Sequence, residues 1–341
     1  MTGILQGLSP VYRGMVGTGG VGSGSFFLIA GNETLGREES RAGRSLPRRD
    51  YCKLHIISHY VKLLLGDEMA VYPIGRVGDD QVGPVLFGEM EQAGMDMRFV
   101  RCLSGVSTLF SFCILYPDGS GGNLTTEDSA SSRLGPSDIA EAAGIMRGLG
   151  ERGIALAAPE APLAARAALL DLATTHGLFR AASFTRTEME EVRRLGILDN
   201  VDLLAVNAEE ARAAAGGSAT VAEAIRSMAA AHPRLSISVT AGRAGSWSWD
   251  TTRLRRDEAL RVQVQGTTGA GDAHFAGILC GLAAGLELAD AQSLGTLLAG
   301  ASVTSPDTIN REIDAPMLRT LCRENPGLSP RVRALLDTPL R

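Results

Sequence analysis

Apolar runs broken by glycine alternate with amphipathic stretches along most of the chain. Residues 11–36, VYRGMVGTGGVGSGSFFLIAGNETLG, read as strands joined by tight turns. Residues 37–50, REESRAGRSLPRRD, are densely charged and read as an exposed loop or the start of a short helix. Residues 51–66 carry apolar positions at helical spacing, and Gly66 predicts the C-cap. MAVYPIG (69–75) predicts a strand, RVGDDQVG (76–83) a turn, and residues 82–94 a helix that stops at Gly94.

The second half repeats the pattern. VSTLFSFCILY (106–116) is rich in β-formers and PDGSGG turns the chain. Helices are expected over 136–148, 161–177, 188–195 and 208–215, with strands at 153–158, 201–206 and 235–240. Residues 245–250 open a hairpin arm, RVQVQ (261–265) looks like a further strand, and 270–286 and 289–302 are two Ala/Leu-rich helices. Strands alternating with helices imply an α/β fold with a doubly wound, mostly parallel sheet. No linker or internal repeat divides the chain, so a single domain over 1–341 is expected. Segments within about 20–50 and 104–126 would form a small β lid.

Composition narrows the function classes. Of 341 residues, 45% are apolar and 21% charged, which suits a globular protein. The net charge of −5 and the 5% aromatic content argue against a nucleic-acid partner. Cys52, Cys102, Cys113, Cys280 and Cys322 are odd in number and widely spaced, which excludes a disulfide framework and fits a reducing compartment. The N-terminus lacks a basic segment followed by an apolar one, and the most apolar stretch, 273–286, is too short to span a bilayer. A cytoplasmic protein with no membrane partner is expected.

The most informative stretch is Gly266-Thr267-Thr268-Gly269-Ala270-Gly271-Asp272-Ala273-His274-Phe275. A turn of small residues that opens a long apolar helix exposes backbone N–H groups, which with the helix dipole favour an anion. Gly269 and Gly271 permit close approach. Asp272, at the helix start, would orient or deprotonate a hydroxyl bound beside that anion. The alternative is a plain glycine turn with a helix-start carboxylate.

TTGAGD followed by a small residue and Phe275 resembles the C-terminal motif of the ribokinase/PfkB carbohydrate kinases. VYPIGRVGDDQVG (71–83) with Gly94-Met95-Asp96, VNAEEA (206–211) and SVTAGRAGSWSWD (238–250) resemble other elements of that family, in the same order. The resemblance covers roughly residues 66–305. It implies a ribokinase-like fold and an ATP-dependent kinase with Asp272 as catalytic base and the backbone of Gly269, Ala270 and Gly271 as anion hole. It places Asn207, Thr240, Gly242, Gly245, Thr267 and Thr268 near the nucleotide. It also assigns Glu210 and Asn207 to Mg²⁺, mostly through water. The acceptor would be the hydroxyl of a sugar or related small metabolite, less expectedly a nucleoside. Dimers built through lid strands are common in the family, which implies a homodimer.

Each element also has a plainer reading. Asn207 and Glu210 make a capping-box pair, and Thr240 to Gly245 reads as a strand-to-hairpin turn. The substrate motifs depart from the family. Where the family has an aspartate after its first strand, this chain has Gly22, Ser23 and Gly24, and its usual Gly-Gly-x-x-x-Asn element reads Tyr51 to Ile57. Gly266 replaces an aspartate common in cation-activated members. Ser23, Asn32, Arg37 and Asn123 are the candidate acceptor residues, with a solvated charged loop as the alternative. The broken motifs also leave open a non-catalytic binding or regulatory protein on the same fold. SPDTIN (305–310) is expected at the adenine pocket from its position alone.

Two further patterns invite other functions. Gly17 to Gly22 fits GxGxxG, but a dinucleotide site needs a helix directly afterwards, and SGSFFLIAG reads as a strand. His55 and His59 share a helix face, yet no glutamate follows His55 and no third ligand is evident. No Walker-type loop or GxSxG elbow is present.

Overall fold

The computed structural model describes residues 2–5, 9–118, 120–217 and 220–337. In chain order the strands and helices begin with β1 (Gly14–Thr18), β2 (Gly22–Ile29), β3 (Gly43–Tyr51), α1 (Lys53–Leu65), β4 (Ala70–Gly78), α2 (Val82–Gln92), β5 (Phe99–Leu103), β6 (Leu109–Leu115) and β7 (Gly121–Thr125). They continue with α3 (Pro136–Ala140), α4 (Ala143–Leu149), β8 (Gly153–Ala157), α5 (Leu163–His176), β9 (Phe179–Ala182), α6 (Met189–Arg194), β10 (Leu203–Asn207), α7 (Ala208–Ala214) and α8 (Val221–Ala231). Last come β11 (Ser236–Thr240), β12 (Ser246–Trp249), β13 (Leu254–Asp257), α9 (Ala270–Ala283), α10 (Leu288–Ser302), α11 (Ala315–Glu324) and α12 (Pro330–Leu336).

Among the described residues, nine strands form one sheet in the order β13-β12-β11-β10-β9-β8-β1-β4-β5. It is parallel except where β12 and β13 pair antiparallel at one edge. Parallel strands are covered on both faces, and adjacent residues of β1 show it: Met15 joins one core cluster and Val16 the other. One core packs α1, α9 and α10 on the sheet, and the other packs α5, α7 and α8. The expected α/β doubly wound sheet is therefore present.

A second sheet runs in the order β3-β2-β6-β7 and forms the small lid. Here residues 37–50 depart from expectation, because 43–51 is a strand and not a loop or helix start. β3 is an edge strand, and edge strands tolerate proline and bear charge as protection against stray pairing; Pro47 and the arginines fit that role. RVQVQ (261–265) pairs with no strand and crosses the edge of the main cavity. The helix expected over 136–148 is split into α3 and α4. Residues 311–337 contain α11 and α12, and Asp314 accepts from the Met317 N–H as the N-cap of α11. Gly17 to Gly22 leads directly into β2, so the helix a dinucleotide motif needs is absent from these residues.

β1 lies between β4 and β8, so the chain reverses its direction of travel across the sheet there. In open α/β sheets the crevice beyond the carboxyl ends of strands at such a point is where ligands bind. The lid hangs from that end, since β2 follows β1 after three residues.

Candidate active site

Two strand ends and two helix starts meet beyond the carboxyl edge of the sheet. β10 ends at Asn207 and β11 at Thr240, while α9 starts at Ala270 and α1 at Lys53. Between them lies a cavity of about 580 Å³. Its walls include Asn207, Glu210, Thr240, Gly242 and Gly245. Its inner end is closed by Thr267, Gly269, Ala270, Gly271 and Asp272. Thr268 is exposed and does not line it.

The turn before α9 requires its glycine. Gly269 has φ +82°, and a Cβ there would stand 2.6 Å from the Thr308 carbonyl oxygen. The Ala270 N–H donates to the Thr267 carbonyl at 3.2 Å. The N–H groups of Gly271 and Asp272 donate to no other described residue. The first turn of a helix leaves such donors for a ligand, and here they face the cavity. Of the residues expected to form an anion hole, Gly269 to Gly271, Ala270 uses its N–H inside the turn.

Asp272 lies against Lys53, with Oδ1 3.7 Å from Nζ and the two side chains 13% and 30% exposed. Burial pushes the Asp272 carboxyl up, and the Lys53 charge pulls it back. Lys53 is in turn pushed above the usual lysine range, chiefly by Asp272 and further by Glu210, Glu160 and Asp50. Asp50, Lys53 and Glu160 were not among the expected site residues. Glu160 follows β8 at φ +69°, and its Oε2 accepts from the Lys53 N–H at 3.2 Å. Cys52, the N-cap of α1, makes no side-chain cap, so Glu160 supplies it. Burial pushes Glu160 up to about 7 against the opposing pull of Lys53.

Asn207 and Glu210 do form the capping box. Asn207 Oδ1 accepts from the Glu210 N–H at 2.9 Å, and Glu210 Oε2 accepts from the Asn207 N–H at 2.8 Å. This leaves Glu210 Oε1 facing the cavity, on a carboxyl pushed up by burial. The described residues hold no group of three or more His, Cys, Asp or Glu that could cage a metal. A magnesium ion that keeps most of its waters and rides on a polyphosphate is compatible with this set, and an all-protein cage is not.

The acceptor candidates separate. Asn123 lies on the lid face that carries Asp50 and Cys113, with Oδ1 3.6 Å from Cys113 Sγ. Ser23 is buried on the opposite face, across from Tyr51 and Phe110. Asn32 sits at the far tip of the lid and accepts from the Asp118 N–H at 2.9 Å, and Arg37 is exposed in the same β2–β3 connection. Asn32 and Arg37 lie away from the sheet end, because β2 carries the chain there, and Ser23 is turned to the lid face opposite Asp50. SPDTIN does not line the cavity either. Thr308 packs behind Gly269, and Asn310 is held by Tyr60 and the Ala301 carbonyl. His55 is wholly buried with both ring nitrogens unpartnered, edge-on to Tyr51 at 4.7 Å. A zinc pair with His59 therefore lacks further ligands among the described residues.

Comparison with known proteins agrees with this fold. The family model described as pfkB family carbohydrate kinase matches residues 59–315. Fructoselysine 6-kinases of Shigella flexneri and Escherichia coli strain K12 are 42% identical over 65 residues. That match spans 19% of this chain and only a quarter of each relative's length. Among solved structures, a Burkholderia thailandensis nucleoside kinase in complex with inosine has a TM-score of 0.73 at 17% identity, covering 92% of this chain and 97% of that one. Arabidopsis thaliana ribokinase complexed with ribose and ATP has a TM-score of 0.69 at 18% identity, covering 96% and 100%. A ribokinase from Cryptococcus neoformans in complex with ADP has 0.72 at 19%, covering 91% and 99%. These likenesses establish the fold. No helix among the described residues is long and apolar enough to cross a membrane.

Proposed function

The chain belongs to the pfkB family of carbohydrate kinases, and from that premise we propose that it is an ATP-dependent kinase of a sugar or related small hydroxylated metabolite. The observation that carries this reading is the Lys53–Asp272 pair at the mouth of a helix start with two unused N–H donors. When bound, ATP supplies the phosphoryl group and Mg²⁺ offsets its charge. The remaining work falls to the chain. Asp272 accepts the proton of the acceptor hydroxyl at its carboxylate. The Gly271 and Asp272 N–H groups hold the oxygens of the group in flight, where fixed donors are worth more than mobile water. Lys53 keeps Asp272 ionised and faces the same negative charge. Thr240, Gly242, Gly245 and Thr267 contact the nucleotide, and Glu210 orients the waters of the metal.

A homodimer through the lid goes with this reading. Phe112 and Leu124 pair across β6 and β7 and are 44% and 67% exposed, beside Phe27 stacked on Phe112 at 6.2 Å. Sedimentation of wild type against Phe112→Ser tests it, and an unchanged monomer in both would remove it.

The activity test is ATP consumption with Mg²⁺ over a panel of sugars, sugar phosphates and nucleosides. Asp272→Asn should lower turnover by about 10²-fold or more at unchanged melting temperature. Turnover equal to wild type would end the assignment of Asp272. Acceptor and ATP binding without any transfer would favour a binding protein on this fold.

A further inference from the structure

One face of the lid sheet carries a cluster of polar side chains. On β6, Ser111 and Cys113 point one way, and Phe110, Phe112 and Ile114 the other, as strand alternation requires. The cross-strand register carries the first face through Gly24 to Asp50 on one side and to Thr125 and Asn123 on the other. These residues form a polar cluster, flanked on the same face by the buried Phe26, across from Cys113, and Leu109. Asp50 Oδ2 accepts from Cys113 Sγ at 3.2 Å, and Ser111 Oγ and Thr125 Oγ1 are 3.0 Å apart. The face turns toward the helix starts, since Asp50 Oδ1 accepts from Thr308 Oγ1 at 3.1 Å and Thr308 backs Gly269.

Gly24 makes room for this carboxylate. A Cβ at that position would lie 2.9 Å from the Asp50 Cβ and 2.7 Å from the Ser111 carbonyl oxygen. The strand that reads Gly22-Ser23-Gly24 is thus bare where its neighbour places an acid. Asp50 is only 7% exposed. Its two oxygens offer about four acceptor positions. Thr308 and Cys113 donate to them, which leaves a position open. Burying a carboxylate is costly unless its hydrogen bonds are completed, so the open position calls for a donor.

The charge balance narrows the donor's owner. Asp272, Glu210, Glu160 and Asp50 all act on Lys53, so four acids surround one cation. Arg49, next along β3, points to the other face of the lid and is paired with Glu89 at 2.6 Å. With these carboxyls ionised, an acceptor that already carries phosphate or carboxylate meets the wall unfavourably.

We propose that Asp50 is the residue that fixes the acceptor, taking one of its O–H or N–H donors from the lid side. With Glu160 and Asp272 it restricts the acceptor to neutral or amine-bearing polyhydroxylated molecules. This rests on the kinase reading above, and its test does not require turnover. Calorimetry on Asp272→Asn in the presence of ADP would use fructose, ribose, glucosamine, fructoselysine and fructose 6-phosphate as probes. At least one neutral or amine-bearing probe should bind, with fructose 6-phosphate at least tenfold weaker. Adding Asp50→Asn should weaken the best probe tenfold or more and leave ADP affinity within twofold, while Ser25→Ala on the other lid face changes neither.

Unchanged probe affinity in Asp50→Asn overturns the proposal. So does tightest binding of fructose 6-phosphate, or no binding by any neutral or amine-bearing probe. Parallel loss of probe and ADP binding with a lowered melting temperature makes Asp50 a structural residue and overturns it too. The kinase reading fails separately, by wild-type protein that binds the best probe and ATP yet transfers nothing.

Discussion

Lys53 Nζ stands 3.7 Å from Asp272 Oδ1, joining the first residue of α1 to the first turn of α9 across the mouth of the cavity. The two helices also pack on each other in one core, so the pair is held by the body and not by two free side chains. Burial raises the Asp272 carboxyl, and the Lys53 charge is the largest influence opposing that rise. Lys53→Met should therefore act twice. Turnover should fall by about 10²-fold, because a cation facing the transferred group is lost. The acid limb of kcat/KM should also move to higher pH, because Asp272 then needs a higher pH to ionise. A variant with reduced turnover and an unmoved acid limb would show that Lys53 does not set the state of Asp272.

Glu210 offers a way to separate a cap from a magnesium role. Glu210→Gln keeps an oxygen to accept from the Asn207 N–H but removes the charge, so stability should be nearly preserved. The Mg²⁺ concentration for half-maximal turnover should rise severalfold. Asn207→Ala removes the acceptor for the Glu210 N–H and should cost about 1 kcal/mol in denaturant unfolding. If Glu210→Gln shows an unchanged Mg²⁺ requirement, the box is a cap alone.

What the sequence made legible follows from locality. TTGAGD and the strands at 201–206 and 235–240 each carry their signal within a dozen residues. Asp272, Asn207 and Thr240 could therefore be placed before any fold was known. Asp50, Lys53 and Glu160 could not. They come from a lid edge, a helix start without a capping side chain, and a loop residue at positive φ, more than a hundred residues apart at the extremes. The one local signal was the bare Gly22-Ser23-Gly24, which showed that an acid was missing but not where its replacement sat. Charge density misled at 43–51, where an edge strand and a solvated loop have the same composition.

Glu160 titrates near neutrality, pushed up to about 7 by burial, and it borders the acceptor side of Lys53. Acceptor affinity should therefore change as pH passes through about 7, improving upward if the ionised carboxylate accepts from the substrate. Glu160→Gln should flatten that step in the acceptor KM and leave the ATP KM in place. A step that persists unchanged in the variant would assign it to another group.

Stability should fall on acidification, by a balance of opposed groups. Burial lowers His55 to about 3, and His59 and His274 to about 4, against 6.5 for the free side chain. Each is neutral in the folded protein, and the unfolded chain binds a proton first. Their contribution is whole above about 6.5 and is lost as pH falls toward 4, at up to about 1.4 kcal/mol per pH unit each. Glu160 has the opposite sign. Its folded value of about 7 lies above the ordinary 4.5, so the fold favours its protonated form and gains as pH falls through that window. Three histidines against one such glutamate leave a net loss, on the order of 1–3 kcal/mol per pH unit between 6.5 and 5. Asp50, Glu210 and Asp272, all raised by burial, soften the loss at the lower end. Urea unfolding at half-unit steps from pH 7 to pH 5 measures the slope. His55→Phe, which keeps an aromatic ring against Tyr51, should make it shallower, and Glu160→Gln should make it steeper. A slope unchanged in both variants would mean that neither buried group governs the acid response.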